Sequence, residues 1–353
     1  MVQAGAVWSE QDTTPAAVEA ALRELLRQQE AQDRGYAPAR VLNLVAVVDR
    51  EWRGEILNRL ERVGRYHPSR TILCAVEGGR RTIDASVAIT TDAEPRPGEF
   101  SLSRERVVLD LGPRHLESLD TIVDPLLVSD IAAVVWSPHG HPEAVDALLR
   151  LVQVVLVDSV NEPDPASAVS RAQQLAQAVY VVDLAWLRST PWRERVAATF
   201  DPPQWRVELG RIDSVTVRHR PDSGIAGVLF LGWLASRLGW EAGPLVSANG
   251  SLHGHAHARR QDVEMRLVPD PGQTVPGLAG IEIGTASGVR IALDRGPGGL
   301  TARRVDRKGN ESTWTVLGAS RGEAGILGEG IRQALLRDPT YRRALERART
   351  MLA

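Results

Sequence analysis

Apolar residues return along this chain in two rhythms. Short unbroken apolar runs alternate with longer stretches in which apolar positions recur every three or four residues. The first pattern predicts buried strands and the second amphipathic helices. Pro15 to Arg34 carries Val18, Leu22, Leu25 and Leu26 on one stripe, with Thr13 or Thr14 as cap and Gly35 as stop, which predicts a surface helix. Val41 to Val48 predicts a buried strand. Glu51 to Tyr66 predicts a helix with Trp52, Ile56, Leu60 and Val63 in register, and Ser69 to Val76 a second strand. Arg81 to Thr90 and Phe100 to Leu111 read as extended strands, and Arg114 to Leu127 as helical in part. Ile131 to Trp136, Val154 to Val157 and Val179 to Leu184 are short strands, separated by helices around Glu143 to Arg150 and Ala166 to Ala178. This alternation predicts an α/β domain with a largely parallel sheet.

Pro202-Pro203 breaks the rhythm and is the preferred domain boundary, ahead of Asn161 to Pro165. Beyond it lie a strand at Ile212 to Arg220, a glycine-containing helix at Gly224 to Leu238, and five short strands between Gln261 and Leu317. Arg295 to Gly299 and Arg307 to Asn310 fit hairpin turns. Helices at Gly322 to Arg337 and Pro339 to Leu352 close the chain. Strands followed by helices predict an α+β domain with an antiparallel sheet. The expected organisation is an N-terminal helical extension over 1–35, an α/β domain over 36–201 and an α+β domain over 204–353. No internal repeat or low-complexity tract is evident.

Composition narrows the classes of function. The 353 residues carry a net charge of −2, so no global field favours nucleic acid or an anionic membrane. Neither partner is expected. Lys308 is the only lysine, and arginine suits carboxylate and phosphate recognition better. Cys74 is the only cysteine, which excludes an intrachain disulfide and a cysteine-based zinc site. The first residues lack a signal pattern, and no apolar run nears the roughly 20 residues that span a bilayer. A cytoplasmic protein is expected.

Several predicted strands end in polar residues: Asp49, then Ser137 to His141, then Asp158-Ser159, then Asp183. Ligands of open α/β sheets bind outside the carboxyl ends of the strands. Asp49, His139, Asp158, Ser159 and Asp183 are therefore the candidate lining of a small-anion site, for a sugar phosphate or nucleotide. The same residue types also serve as helix caps. His139 and His141 alone fall short of a zinc site. His253, His255 and His257 alternate, and on a strand they would share one face as candidate transition-metal ligands. The glycine, serine and asparagine of Ser247 to Ala258 point instead to a mobile polar loop, and no metal site is expected. The P-loop, the G-x-G-x-x-G turn after the first strand, the G-x-S-x-G elbow and H-E-x-x-H are all missing. No cofactor is expected, and Cys74 reads as inert packing.

The segment Asp183 to Arg195 gathers two acids, two tryptophans and three arginines. Thr190-Pro191 reads as a helix start with the hydroxyl as cap, and Trp192, Val196 and Phe200 fall on one face. Trp186, Arg188, Trp192 and Arg193 make the first candidate docking surface for a partner protein. Arg65, His67 and Arg70, in the connection before the second strand, make the second. The arginines of the last helix, from Arg337 to Arg349, read as a solvated face.

Five stretches occur in a telling order: Val41 to Val45, Tyr66-His67-Pro68-Ser69-Arg70-Thr71-Ile72, Asp124-Pro125 followed by Val134 to Trp136, Asp158-Ser159, and Asp183 to Trp186 with Thr190 to Arg193. In that order and spacing the chain resembles the OpcA-type glucose-6-phosphate dehydrogenase assembly proteins, from about Val41 to Trp240. The resemblance implies a non-catalytic partner of glucose-6-phosphate dehydrogenase, an assembly factor or allosteric effector in the oxidative pentose phosphate pathway. It carries no catalytic residues over to this chain. Cyanobacterial members are linked to thioredoxin-type redox control, which a lone Cys74 cannot support through an intrachain disulfide.

Overall fold

The computed structural model describes residues 7–32, 40–64, 67–91, 103–259, 261–296, 298–317 and 322–353. The chain forms two compact units. One comprises Met1–Val157, Leu175–Val182 and Glu323–Leu336, and the other Asp158–Gln174, Asp183–Gly322 and Arg337–Ala353.

The first unit is built on a sheet of eight strands: β1 (Val7–Glu10), β2 (Leu42–Asp49), β3 (Ser69–Val76), β4 (Asp84–Thr91), β5 (Ser103–Leu111), β6 (Ala133–Trp136), β7 (Val154–Val157) and β8 (Tyr180–Asp183). Their spatial order is β1-β4-β5-β3-β2-β6-β7-β8. From β5 through β7 every pairing is parallel, while β4 and β1 close one edge antiparallel. Parallel strands are covered on both faces and so read as continuous apolar runs. β2 obeys this, with Leu42 to Val48 all buried. Its one buried amide, Asn43, donates to the Val128 carbonyl at 3.0 Å and accepts from the Val128 N–H at 2.9 Å. That side chain thereby stands in for a peptide group and ties the 126–128 segment to the central strand.

The first helix runs over Pro15–Gln32, with Val18, Leu22 and Leu25 buried; its expected end at Arg34 and stop at Gly35 lie outside the described residues. The Glu51 to Tyr66 expectation needs correction at its start. Arg50–Trp52 is a single 3-10 turn and the α-helix begins at Arg53. Ile56, Leu60 and Val63 are buried, but Trp52 is displaced from their stripe and is 40% exposed.

The second unit carries a sheet built from β9 (Ile212–His219), β10 (Glu241–Ala242), β11 (Val246–Ala248), β12 (Ser251–His257), β13 (Asp262–Pro269), β14 (Leu278–Thr285), β15 (Arg290–Gly296), β16 (Gly299–Val305) and β17 (Glu311–Leu317). The order is β10-β12-β13-β9-β14-β15-β16-β17, with β11 paired to β12. All pairings are antiparallel except β9 with β13. The sequence expected a mobile loop over Ser247 to Ala258, and the structure corrects it to a hairpin. Asn249 and Gly250 sit at φ 51° and 75°, the left-handed pair that a two-residue hairpin turn requires and that Asn-Gly supplies.

The Gly224–Leu238 helix is apolar almost all round, with ten buried residues. Such a helix must be covered on two sides. One side lies on the sheet, where Gly227 meets Leu267 and Val217. The other lies against the Thr340–Met351 helix, which buries Tyr341, Ala344, Leu345, Ala348 and Met351. At the crossing, a β-carbon on Gly232 would stand 2.4 Å from the Ala344 carbonyl oxygen. Glycine is what lets these two backbones approach. Among the described residues no helix is long and apolar enough to cross a membrane.

Candidate functional site

In the first unit the chain leaves β2 outward in two directions, through β3 and β5 on one side and through β6 and β7 on the other. The carboxyl ends of β2 and β6 are thus a topological switch point, where open α/β sheets bind ligands. A dinucleotide at such a point needs bare glycine backbone at the first turn. Here that turn reads Asp49-Arg50-Glu51-Trp52, and side chains fill it. His141 Nε2 lies 3.1 Å from Asp49 Oδ1, and its Nδ1 lies 3.6 Å from Glu143 Oε1. The His139 ring lies against Trp52, with centroids 5.0 Å apart and planes tilted by 32°. Burial holds the His139 imidazole below its usual pKa. Arg53 grips both oxygens of Asp110 at 2.9 and 3.2 Å.

A hydrolytic triad needs a hydroxyl aimed at its imidazole. The Ser137 hydroxyl instead donates to the carbonyls of Val47 and Gly140. His141 itself adopts φ 59°, after Gly140 at φ 113°. The turn therefore spends a left-handed non-glycine residue to bring the imidazole onto Asp49.

Asp158, Ser159 and Asp183 belong to the second unit, and each is committed there. Asp183 caps the Leu184–Arg188 helix by accepting the Ala185 N–H at 2.9 Å. It also accepts the Ser159 hydroxyl at 2.6 Å, the Ser159 N–H at 3.2 Å and the Tyr341 hydroxyl at 3.1 Å. The carboxyl is wholly buried, and burial pushes its pKa up to about 6 against the pull of the Ser159 and Ala185 hydrogen bonds. Tyr341 is pushed up in turn, by burial first and then by the Asp183 charge. Asp158 accepts two hydrogen bonds from Arg188, at 2.8 and 2.6 Å. Tyr341 was not among the sequence candidates. Its signal was the apolar spacing of Tyr341, Ala344, Leu345, Ala348 and Met351, which the surrounding arginines obscured.

The first docking surface expected from sequence is interior, and that expectation is corrected. Trp186 is 3% exposed, Trp192 2% and Arg193 8%. Two indoles and their neighbours hide more apolar area inside the unit than they could on its surface. The Arg193 guanidinium lies over the Trp186 ring, 3.2 Å from the centroid, and donates to Thr190 Oγ1 at 2.7 Å. Its Nη1 has no hydrogen-bond partner, and burial drives the arginine pKa down to about 9. Trp186 also meets Tyr341 at 5.7 Å. Trp192, Val196 and Phe200 share a buried face as expected. Thr190 does not cap that helix; Ser189 holds the cap position and its hydroxyl donates to the Trp186 carbonyl.

Of the second docking set, Arg65 lies outside the described residues. His67 is half-buried, with its pKa lowered by burial and then by Arg332. Arg70 is corrected from surface to core. Register places it beside Glu105, to which its Nε donates at 2.6 Å, and its Nη1 donates to the Leu126 carbonyl at 2.9 Å. Cys74 is buried, and burial pushes its thiol up to about 12. His253, His255 and His257 stand on β12 opposite Arg266, Glu264 and Asp262. Among the described residues no group of three or more potential ligands is placed to hold a metal ion.

Comparison with known proteins gives two consecutive family matches. Residues 61–174 match the N-terminal domain of the glucose-6-phosphate dehydrogenase subunit family, and residues 179–345 match the C-terminal domain of that family. The chain is 28% identical over 244 residues to the putative OxPP cycle protein OpcA of Synechococcus elongatus, covering 68% of this chain and 53% of that protein. It is 26% identical over 240 residues to the protein of the same name from Nostoc punctiforme, covering 64% and 52%. The chain thus spans about half the length of the curated relatives it matches. Among solved structures, the putative oxidoreductase yvaA of Bacillus subtilis aligns with a TM-score of 0.50 and 12% identity, over 88% of this chain and 95% of that one. At that identity the likeness shows the fold alone.

Proposed function

The chain belongs to the OpcA-type glucose-6-phosphate dehydrogenase assembly family, and on that premise we propose that it binds glucose-6-phosphate dehydrogenase and favours its active form without catalysing a reaction itself. A binding protein shifts an oligomeric enzyme toward its active state only by binding that state more tightly. The observation that best supports a non-catalytic role is the switch point of the first sheet. A fold used elsewhere for dinucleotides here carries Trp52 on His139 and His141 on Asp49, where a cofactor phosphate would need open backbone.

The same edge supplies the docking anchor. Trp52 is a large aromatic left 40% exposed, braced by His139 behind it and flanked by Arg50 and Arg53. Tryptophan and arginine are the residues that carry most binding energy at protein interfaces. The setting is the cytoplasm, and neither nucleic acid nor membrane is a partner. The test is co-elution of this protein with glucose-6-phosphate dehydrogenase from the same organism. A stable complex that Trp52→Ala weakens supports the reading, and separate elution of the two wild-type proteins overturns it.

A further inference from the structure

The sheet of the second unit has two unlike faces. Val215, Val217, Met265, Leu267, Ile281 and Ile283 point to the helix side and are buried. On the other face Ser214, Thr216, Glu264, Arg266, Glu282 and Arg290 are half-buried or exposed. At its middle is a shallow depression of about 370 Å³, walled by charged side chains over a floor of Ser214, Thr216 and Gly284.

Register aligns Glu264, Ser214, Gly284 and Arg290 in one row across β13, β9, β14 and β15. Arg290 is exposed and has no ion-pair partner among the described residues. Glu264 sits three strand spacings away, about 14 Å, too far to pair with it in the same chain; it accepts from Arg266 Nε on its own strand at 2.7 Å and keeps its outer side open to a second base. The two lie symmetrically about the seam between β9 and β14. A two-fold axis along that seam would lay Glu264 of one copy over Arg290 of another, and Arg290 over Glu264, with Ser214 facing Gly284 between them.

We propose that this open sheet face is the contact between two copies of the chain, joined face to face about the β9–β14 seam. Charge selects a second copy over an unlike partner. The row carries one acid and one base at mirror positions, so a second copy of the same row sets a base over the acid and an acid over the base at once, as a self-complementary two-fold contact does. Size agrees. The outward face from β12 to β17 spans about 34 Å by 20 Å, about 700 Å² on each copy, which doubled falls within the range of specific interfaces. Small residues at the centre allow the two sheets to approach closely, and the charges at the flanks fix the register.

Sedimentation of the full chain at micromolar concentrations tests this. The wild-type protein is expected to be a dimer. Glu264→Arg alone and Arg290→Glu alone each bring like charges together twice and raise the dimer dissociation constant at least about tenfold. The double variant Glu264→Arg with Arg290→Glu restores the dimer. Both positions point outward from the sheet, and circular dichroism of each variant checks that it is folded. A monomeric wild type, a dimer indifferent to the single changes, or a double variant that stays monomeric overturns the proposal. None of these outcomes depends on whether the dehydrogenase is the partner at Trp52.

Discussion

Replacing Asp183 by asparagine separates two opposing effects on one buried carboxyl. Burial raises the pKa of Asp183 to about 6, against about 3.9 in an unfolded chain. Between those values the folded state holds the proton more tightly than the unfolded state. Stability therefore falls as pH rises through the interval, and the loss is complete above the folded pKa. A difference of about two pKa units corresponds to about 3 kcal/mol. Asparagine can keep the geometry. Its carbonyl accepts the Ser159 and Ala185 N–H groups, and its amide donates to the hydroxyls of Ser159 and Tyr341, which turn from donors to acceptors. Asp183→Asn is thus expected to lack this pH dependence. Relative to the wild type, the variant should gain about 3 kcal/mol between pH 4 and pH 8. Denaturant unfolding followed by tryptophan fluorescence suits the measurement, because the Trp186 ring lies 5.7 Å from that of Tyr341 and reports on this network. A difference that stays flat across that range would refute the reasoning. So would a wild type that gains on the variant as pH rises, since that would mean the four hydrogen bonds outweigh burial and hold the carboxylate charged.

Three further outcomes follow from the packing. Gly232→Ala should lower the melting temperature sharply, because its β-carbon would meet the Ala344 carbonyl oxygen at 2.4 Å and overpacking of this kind costs about 1–3 kcal/mol; a melting temperature unchanged from wild type contradicts the crossing. Glu105→Gln should destabilise the first unit by about 3–5 kcal/mol in a denaturant titration, the usual cost of breaking a buried ion pair, because it removes the carboxylate that Arg70 and Arg40 share; Arg70→Met should cost less, since Arg40 still pairs with Glu105, and equal losses for the two variants would contradict the shared pairing. Cys74 should resist thiol reagents at neutral pH until the chain unfolds, since its thiol is buried and its pKa lies near 12; labelling at the rate of a free thiol would show an open strand.

The parallel sheet was legible because its strands are buried on both faces and leave unbroken apolar runs, as in Leu42 to Val48. The hairpin of β11 and β12 was hidden by composition. Its glycines and histidines resemble a loop, although Asn249-Gly250 between alternating residues is a hairpin signature. β1 was missed because only Val7 and Trp8 of its four residues are apolar and its pairing with β4 is remote in sequence. The candidate site divides in the same way. The polar strand ends were found from the sequence, but not what they bind, because partners such as Tyr341 and Arg188 are fixed by tertiary contacts. The cluster at Trp186 and Trp192 was visible as unusual chemistry, yet aromatic and arginine content alone does not separate an interface from a core. Trp52 shows the converse. A helical stripe assigned it to the interior, and one 3-10 turn moves it to the surface.

We propose that this chain acts on glucose-6-phosphate dehydrogenase as a partner and not as an enzyme. The most direct measurement is the rate of NADP reduction by purified dehydrogenase titrated with this protein. The expected result is a saturable rise in rate, no reduction by this protein alone, and a higher half-saturating concentration for a folded Trp52→Ala variant. An unchanged dehydrogenase rate at every ratio of the two proteins would contradict it.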